Sequence, residues 1–459
     1  MPALTKAVGA GIVLSLVSSW GLAASPGVPS LGSSAQDYVA YAVSDLPAWF
    51  TAPPVANSDN TPVDNAITNE GAELGRVLFY DKRLSHNNGT ACASCHTQET
   101  GFSDPDQFSS GFEGGLTGRH SMGLSNAKFY SRGRFFWDER AATLEDQVLM
   151  PIQDAVEMGS NLPDLVNELQ QTDYYPTLFE RAFGDSTVTS DRMSKAMAQF
   201  VRSMASYQSE FDQAVDAGNV MNPDFAAVAS ISDPQQAEQG HALFVGDCAI
   251  CHSGVTQSAP GPRNIGLDAV DTDSGAGNGR FKVPSLRNIA ERGRYMHDGR
   301  FESLEEVVEF YSSGVQNNPN LSTGLTPGGF NYTEAEKQAL IAYMETFSDS
   351  TFLTSALFTD PFVDLPGDYD GNGVVDQDDY TAWRDAFGQT TVGLSGPLFA
   401  DGNNDGVVDA ADYVVWRDNL GARWDDGVSI ATAVPEPAGL ALLFTALLAS
   451  RARPQRRSA

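Results

Sequence analysis

The stretch RVLFYDKRLSHNNGTACASCH at residues 76–96 ends in a Cys-x-x-Cys-His motif, which recurs as CAICH at residues 248–252. Two thiols one helical turn apart can bond to the two vinyl groups of one haem, while the adjoining His reaches the iron. One copy would also fit a zinc or redox pair, but two copies that use every cysteine favour haem. The motifs therefore predict two covalently attached c-type haems, held by Cys92, Cys95, Cys248 and Cys251, with His96 and His252 as iron ligands.

Length and composition predict a globular chain with more than one domain. It has 459 residues, of which 41% are hydrophobic. The formal net charge of −31 excludes nucleic acid as a partner, because a polyanion would be repelled. Helical periodicity dominates and strand signals are scarce, so the predicted fold class is mainly α. Ser303 and Thr333 have Glu three residues on, which predicts a helix N-cap at each.

The N-terminus predicts export. Lys6 precedes an apolar run at residues 8–22, and small residues follow. This is typical of a secretory signal, which we place at residues 1–24; a membrane anchor is the alternative. Residues 25–64 are rich in Pro, Ser and Ala, and we interpret them as a linker. We expect the protein in the periplasm or at the cell surface.

Three further segments accompany the first motif: FFWDERAATLEDQVLMPIQDAVEMG at residues 135–159, FKVPSLRN at 281–288 and YMHDGRFESLEEVVEFY at 295–311. In this order they resemble the bacterial di-haem cytochrome c peroxidase superfamily, which includes the di-haem enzyme that matures methylamine dehydrogenase. The resemblance implies two cytochrome c-like domains, which we place at residues 65–225 and 226–355. It also implies that the first haem is peroxidatic and the second transfers electrons.

The resemblance assigns roles to four residues of the first domain. Trp137 would lie between the haems, Gln147 and Pro151 would line the peroxide pocket, and Glu157 would be the catalytic acid and base. A carboxylate beside bound peroxide can take a proton from the near oxygen and return it to the leaving one. Considered alone, Glu157 would be a solvated helix residue and Trp137 a core aromatic.

Two positions depart from the family pattern. Phe112 stands where peroxidases that need reductive activation carry a His that caps the first iron. That iron would then be open, unless His120 replaces the missing ligand. At the second haem, Tyr311 stands fourteen residues after His297, where the classical peroxidases have Met. Phenolate stabilises ferric iron, so Tyr311 predicts a low potential; the rival ligands are Met296 and Met344.

The predicted function is reduction of hydrogen peroxide with electrons from a small c-type cytochrome or copper protein. One alternative is an oxidase that uses peroxide to modify a protein or small molecule, as the maturation enzyme does. Another is a non-catalytic cell-surface electron carrier, which requires two protein ligands on each iron.

An acidic repeat follows at residues 364–421. DYDGNGVVDQDDYTAWRD from Asp368 recurs as DGNNDGVVDAADYVVWRD from Asp401. Oxygen-bearing residues fall at positions 1, 3, 5, 9 and 12 of each loop with Gly at position 6, as in EF-hand calcium loops. The repeat resembles a dockerin-like module, which implies a cohesin-like or cell-surface partner; the alternative is a calcium-stiffened spacer. The predicted Ca²⁺ ligands are Asp368, Asp370, Asn372, Asp376 and Asp379 in the first loop, and Asp401, Asn403, Asp405, Asp409 and Asp412 in the second.

The last segment, residues 433–459, resembles the bacterial PEP-CTERM sorting signal. VPEP precedes an apolar run at residues 438–449 and a cluster of four Arg. The run is short for a stable membrane span, so it predicts transient membrane contact before cleavage, with a permanent anchor as the alternative.

Overall fold

The computed structural model describes residues 29, 41, 46–259, 261–362, 365–369, 374–390, 400–403 and 405–422. The predicted signal at 1–24, the sorting tail at 433–459, most of residues 25–45, and Asp370 and Asn372 lie outside the described residues. The chain divides into two compact units, Met1–Val363 and Asp364–Ala459. Across the described ranges, no helix is both long and apolar enough to cross a membrane.

The first unit is built from helices, which confirms the mainly α fold class. Its extended pairs are isolated bridges within the described part. The α-helices are α1 (Ala48–Thr51), α2 (Asn69–Tyr80), α3 (Leu144–Gln153), α4 (Leu162–Gln170), α5 (Tyr175–Phe183), α6 (Ser190–Ser203), α7 (Glu210–Ala217), α8 (Pro234–Leu243), α9 (Leu304–Glu309), α10 (Glu334–Glu345) and α11 (Ser350–Leu353). Short 3₁₀ helices include Cys92–Ser94 and Ala127–Phe129, and π-helical turns lie at Phe244–Cys248 and Phe310–Gly314.

Each Cys-x-x-Cys-His motif follows a helix that crosses a later helix at a glycine. In the first half, α2 packs on α6 at Gly75, where a Cβ atom would lie 2.1 Å from the Ala196 carbonyl oxygen. In the second half, α8 packs on α10 at Gly240, where a Cβ atom would lie 1.9 Å from the Ala339 carbonyl oxygen. Only glycine allows such close backbone approach.

The second half also uses chain from the N-terminal side. Phe50 and Val55 lie inside the segment interpreted as a linker, yet they are buried in the core that contains α8 and α10. Phe211 of α7 belongs to the same core, although residues 65–225 were assigned to the first domain. The composition of residues 25–64 hides this packing, because a short helix with one buried aromatic has no periodicity to read.

Residues 192–215 repeat a helical apolar period, which predicts one continuous helix, but the helix is interrupted. The chain leaves α6 at Ser203 and resumes helix at Glu210 with Ser209 as N-cap. Between them, the Asp349 carboxylate accepts hydrogen bonds from the backbone N–H groups of Tyr207 and Gln208, at 3.0 and 2.9 Å. A tertiary partner therefore replaces the helical hydrogen bonds that sequence periodicity predicts. In contrast, the N-caps predicted at Ser303 and Thr333 are confirmed.

The second unit contains two helices, α12 (Gln377–Ala386) and α13 (Ala410–Asn419), one in each acidic repeat. The repeats bind each other reciprocally. Trp383 Nε1 donates to the Asp409 carbonyl at 2.8 Å, and Trp416 Nε1 donates to the Asp376 carbonyl at 2.6 Å. Each acceptor is position 9 of the other loop, so the Trp of each WRD sequence helps to join the repeats.

Candidate active site

Both motif histidines are oriented to bind iron through Nε2. His96 Nδ1 lies 2.8 Å from the Phe102 carbonyl oxygen, and His252 Nδ1 lies 3.1 Å from that of Gln257. Because a carbonyl only accepts, Nδ1 carries the proton and Nε2 keeps its lone pair. Burial lowers the pKa of His96, and it lowers the pKa of His252 to about 4, so both rings are neutral at pH 7.

The first cavity, of about 570 Å³, opens beside the first motif. Its wall contains the four residues that the sequence singled out: Trp137, Gln147, Pro151 and Glu157. Gln147 and Pro151 are one turn apart on α3, so they share a helix face. Helix α3 ends at Gln153, and Glu157 lies in the turn that follows.

The Asp154 side chain shapes the turn that presents Glu157. One carboxylate oxygen of Asp154 accepts from the N–H groups of Val156 and Glu157, at 2.8 and 3.2 Å. Burial raises the pKa of the Glu157 carboxyl, the nearby charge of Asp154 raises it further, and Arg140 opposes them. A raised pKa brings a carboxyl closer to the pH at which it can both release and accept a proton.

Phe112 and His120 have partners of their own. The Phe112 ring packs against Gly159 and edge-on to His86, and it is not part of the first cavity's wall. His120 lines both cavities, but its Nε2 lies 3.1 Å from Ser103 Oγ and its Nδ1 lies 3.2 Å from the Asp106 carbonyl oxygen. With both nitrogens engaged, His120 is not presented as an iron ligand.

The second cavity, of about 200 Å³, contains the second motif together with Tyr311, Met296 and Met344. All three candidate ligands therefore reach the same space. Tyr311 lies in the π-helical turn Phe310–Gly314, and among the described residues its hydroxyl has no hydrogen-bond partner. Burial raises the pKa of Tyr311, and the nearby thiols of Cys248 and Cys251 add to the effect. A hydroxyl at a cavity wall that lacks a protein partner is what an iron ligand would present before binding.

Some residues line both cavities, and we call the wall that they form the partition. Trp137 is one of them. Its Nε1 donates to the His120 carbonyl oxygen at 2.8 Å, and its own carbonyl accepts from the Lys282 N–H at 2.7 Å. The ring is therefore anchored to the first half of the unit, and the backbone of Trp137 is bound by the second half. Lys282, for which no role was predicted, lines both cavities and is 6% exposed.

The residues present fit two haems. Each cavity contains the two thiols of its motif, the motif imidazole with a free Nε2 and a largely apolar remainder. Neither cysteine pair forms a disulfide, so all four thiols are free to bond to a haem edge.

The acidic loops are described in part. Asp412 is fully buried and accepts from the N–H groups of Asn403 and Asp409, at 3.1 and 2.7 Å. Asp401 accepts from the N–H of Gly406 at 2.7 Å. Among the residues that the structure describes, which omit 370–373 and 404, no three His, Cys, Asp or Glu side chains are grouped as a metal site.

Comparison with known proteins agrees with this geometry. Residues 69–219 match the family described as "Di-haem cytochrome c peroxidase", and residues 237–348 match "Cytochrome c". The chain is 34% identical over 297 residues to the methylamine utilization protein MauG of Methylophilus methylotrophus, covering 62% of this chain and 84% of that protein. It is 30% identical over 378 residues to the cytochrome-c peroxidase IdrP1 of Pseudomonas sp. (strain SCT), covering 71% and 95%.

Solved structures show the same fold. A MauG-like protein associated with microbial copper homeostasis superimposes with a TM-score of 0.61 at 28% identity, covering 70% of this chain and 99% of that one. The two cavities, the free Nε2 atoms and the tryptophan in the partition thus occur in a chain that shares sequence and fold with such proteins. The chain belongs to the di-haem cytochrome c peroxidase family.

Proposed function

We propose that the protein reduces hydrogen peroxide to water at the first cavity, with electrons that enter through the second. The observation that carries this proposal is the Glu157 carboxyl, which lines the first cavity with Gln147 and has a raised pKa. When bound, each haem supplies an iron that exchanges electrons and, where one face is open, binds peroxide.

The chain's own residues supply proton transfer, orientation and connection. Glu157 takes the proton of the near peroxide oxygen and returns it to the departing oxygen. Gln147 orients peroxide or water by hydrogen bonding, and Pro151 lines the pocket one helical turn away. Trp137 connects the cavities. The donor is a small c-type cytochrome or copper protein that docks outside the second cavity.

Absorption and EPR spectra of the oxidised, haem-loaded protein test this proposal. We expect one high-spin and one low-spin haem, with the high-spin signal changing rapidly after one equivalent of hydrogen peroxide. Two low-spin haems indifferent to peroxide, before and after partial reduction, would instead identify an electron carrier.

A second candidate function is favoured by Tyr311. A phenolate at the second iron would store oxidising equivalents rather than relay electrons, as suits an oxidase that modifies a protein or small molecule. Turnover with a reduced small cytochrome distinguishes the two: steady oxidation of the cytochrome with peroxide supports the peroxidase, and slow or absent oxidation supports the oxidase.

We further propose that the acidic repeat binds Ca²⁺ and that the protein is exported. Calcium binding is supported by the twelve-residue loop spacing, the buried Asp412 carboxylate and the reciprocal tryptophan hydrogen bonds. Export is supported by the signal-like sequence at residues 1–24. The repeat would present a dockerin-like surface to a cohesin-like or cell-surface partner. The C-terminal segment would provide transient membrane contact.

Calorimetric titration of the full chain with CaCl₂ tests the module. We expect saturable binding that Asp412→Asn weakens, because the substitution removes a charged ligand without changing its size. Equal affinity in Asp412→Asn and the unmodified chain would contradict the assignment.

A further inference from the structure

Two buried cations in the first unit have no carboxylate partner. Among the described residues, five Lys or Arg side chains are buried, and three of them form ion pairs: Arg76 with Glu73, Arg202 with Glu145, and Arg287 with Asp212. Lys282 and Arg292 form none. An unpaired buried charge is strongly destabilising, so a compensating anion is expected in the working protein.

The surroundings of Lys282 are aromatic rather than anionic. Its Nζ lies 4.1 Å from the centroid of the Tyr130 ring and 4.4 Å from that of Phe135. The Glu139 carboxylate acts on Lys282 electrostatically, but that group already accepts from Tyr130 and from Arg132. Burial lowers the pKa of Lys282 to about 7, as expected for an ammonium that lacks an ion-pair partner.

Arg292 is satisfied by carbonyl groups on one side only. Its Nη2 donates to the carbonyl oxygens of Ser285 and Arg287, both at 3.0 Å. Its Nε is buried and, in the described part of the chain, has no partner. The guanidinium packs on Gly123, where a Cβ atom would lie 2.8 Å from it. The side chain lines the second cavity but not the first.

We infer that Lys282 and Arg292 bind anions at the cavity walls, and that these anions are haem carboxylates. Lys282, which lines both cavities, serves both haems; Arg292 serves the second haem only. This inference rests on the haem occupancy proposed above. A single ammonium shared by both haems couples them electrostatically, because a positive charge nearby favours the ferrous form of each.

Spectroelectrochemical titration at pH 6, where the Lys282 ammonium is charged, tests the assignment. Lys282→Met should lower both midpoint potentials. The ferric-to-ferrous ratio at a fixed potential should rise about tenfold for each haem, which corresponds to a shift of about 59 mV for one electron. Lys282→Arg should restore both. The matched control is Lys128→Met, because Lys128 pairs with Asp59 and lines neither cavity. A shift of one potential alone, or of neither, would overturn the sharing.

Arg292→Met should lower the second potential only. Since its carbonyl hydrogen bonds also hold the fold, Arg292→Lys is the companion variant and should recover most of the shift. Repeating the titrations with added sodium phosphate at constant ionic strength distinguishes haem carboxylates from a free anion as the occupant of the site. Potentials that follow phosphate would show that the site takes a free anion and reject the haem carboxylates. If the unmodified protein showed no c-type haem spectrum at all, the proposed function itself would be refuted.

Discussion

The two cavities begin alike and end differently. Each has two free thiols and a His whose Nδ1 donates to a carbonyl a few residues later, at 2.8 Å in the first and 3.1 Å in the second. The first adds a carboxyl and an amide, Glu157 and Gln147, in about 570 Å³; the second adds Tyr311, Met296 and Met344 in about 200 Å³. Haem attachment is thus a shared property, while reactivity depends on residues that the motif does not specify.

The largest effect should come from removing the proton-transfer group of the first cavity. Glu157→Gln keeps the shape but cannot exchange a proton, so the rate constant for reaction with peroxide should fall by about 10²- to 10⁴-fold in stopped-flow measurements. Since the pKa of Glu157 is raised, the unmodified rate should begin to fall, as pH decreases, at a higher pH than an exposed Glu would give.

That acid limb should be missing from the Glu157→Gln profile. The control is Glu113→Gln, because Glu113 is exposed and outside the cavity wall. If Glu157→Gln reacted with peroxide as fast as the control, the cavities would differ in size but not in proton chemistry.

The ligand of the second iron sharpens the same comparison. If Tyr311 is the ligand, Tyr311→Met should raise the second midpoint potential by on the order of 100 mV, because a neutral thioether favours ferrous iron more than phenolate does. The first potential should move much less. Tyr332→Phe is the matched control, since Tyr332 lines the same cavity but donates to Asp247 at 2.9 Å.

A second potential that ignores Tyr311→Met but follows Met296→Leu or Met344→Leu would transfer the role to a methionine. The second cavity would then resemble an ordinary electron-transfer site, and the low potential predicted from Tyr311 would be wrong.

The sequence predicted what depends on local spacing. The Cys-x-x-Cys-His motifs and the N-caps at Ser303 and Thr333 follow from distances of a few residues, whereas the family resemblance singled out Gln147 and Pro151. Glu157 needed the family resemblance, because charge and periodicity alone favour an exposed residue. The structure places it in the first cavity, and its catalytic role stays a prediction.

Features that depend on distant contacts were missed. The helix break before Ser209 requires Asp349, and the burial of Phe50 requires a core formed far along the chain. Likewise, nothing near Lys282 or Arg292 in sequence shows that they are buried without carboxylate partners. Their burial depends on residues that are distant in sequence, and in the sequence they look the same as exposed Lys and Arg residues.

The smallest expected effect is on stability, and it concerns a feature that the two halves share. In each half, the helix before the haem motif crosses a later helix at a glycine. Gly75→Ala and Gly240→Ala would each place a methyl group about 2 Å from a carbonyl oxygen, so each should lower the free energy of unfolding by about 1–3 kcal/mol. Gly118→Ala and Gly246→Ala are the controls, because a Cβ atom there would meet nothing within 4 Å. Urea denaturation of the haem-loaded protein measures the free energy of unfolding of all four variants.

Losses of stability in both test variants would show that the halves share a packing requirement even though their reactive faces differ. Stability equal to the controls in either half would mean that its helices separate at little cost, and the crossing would not be what positions that haem motif.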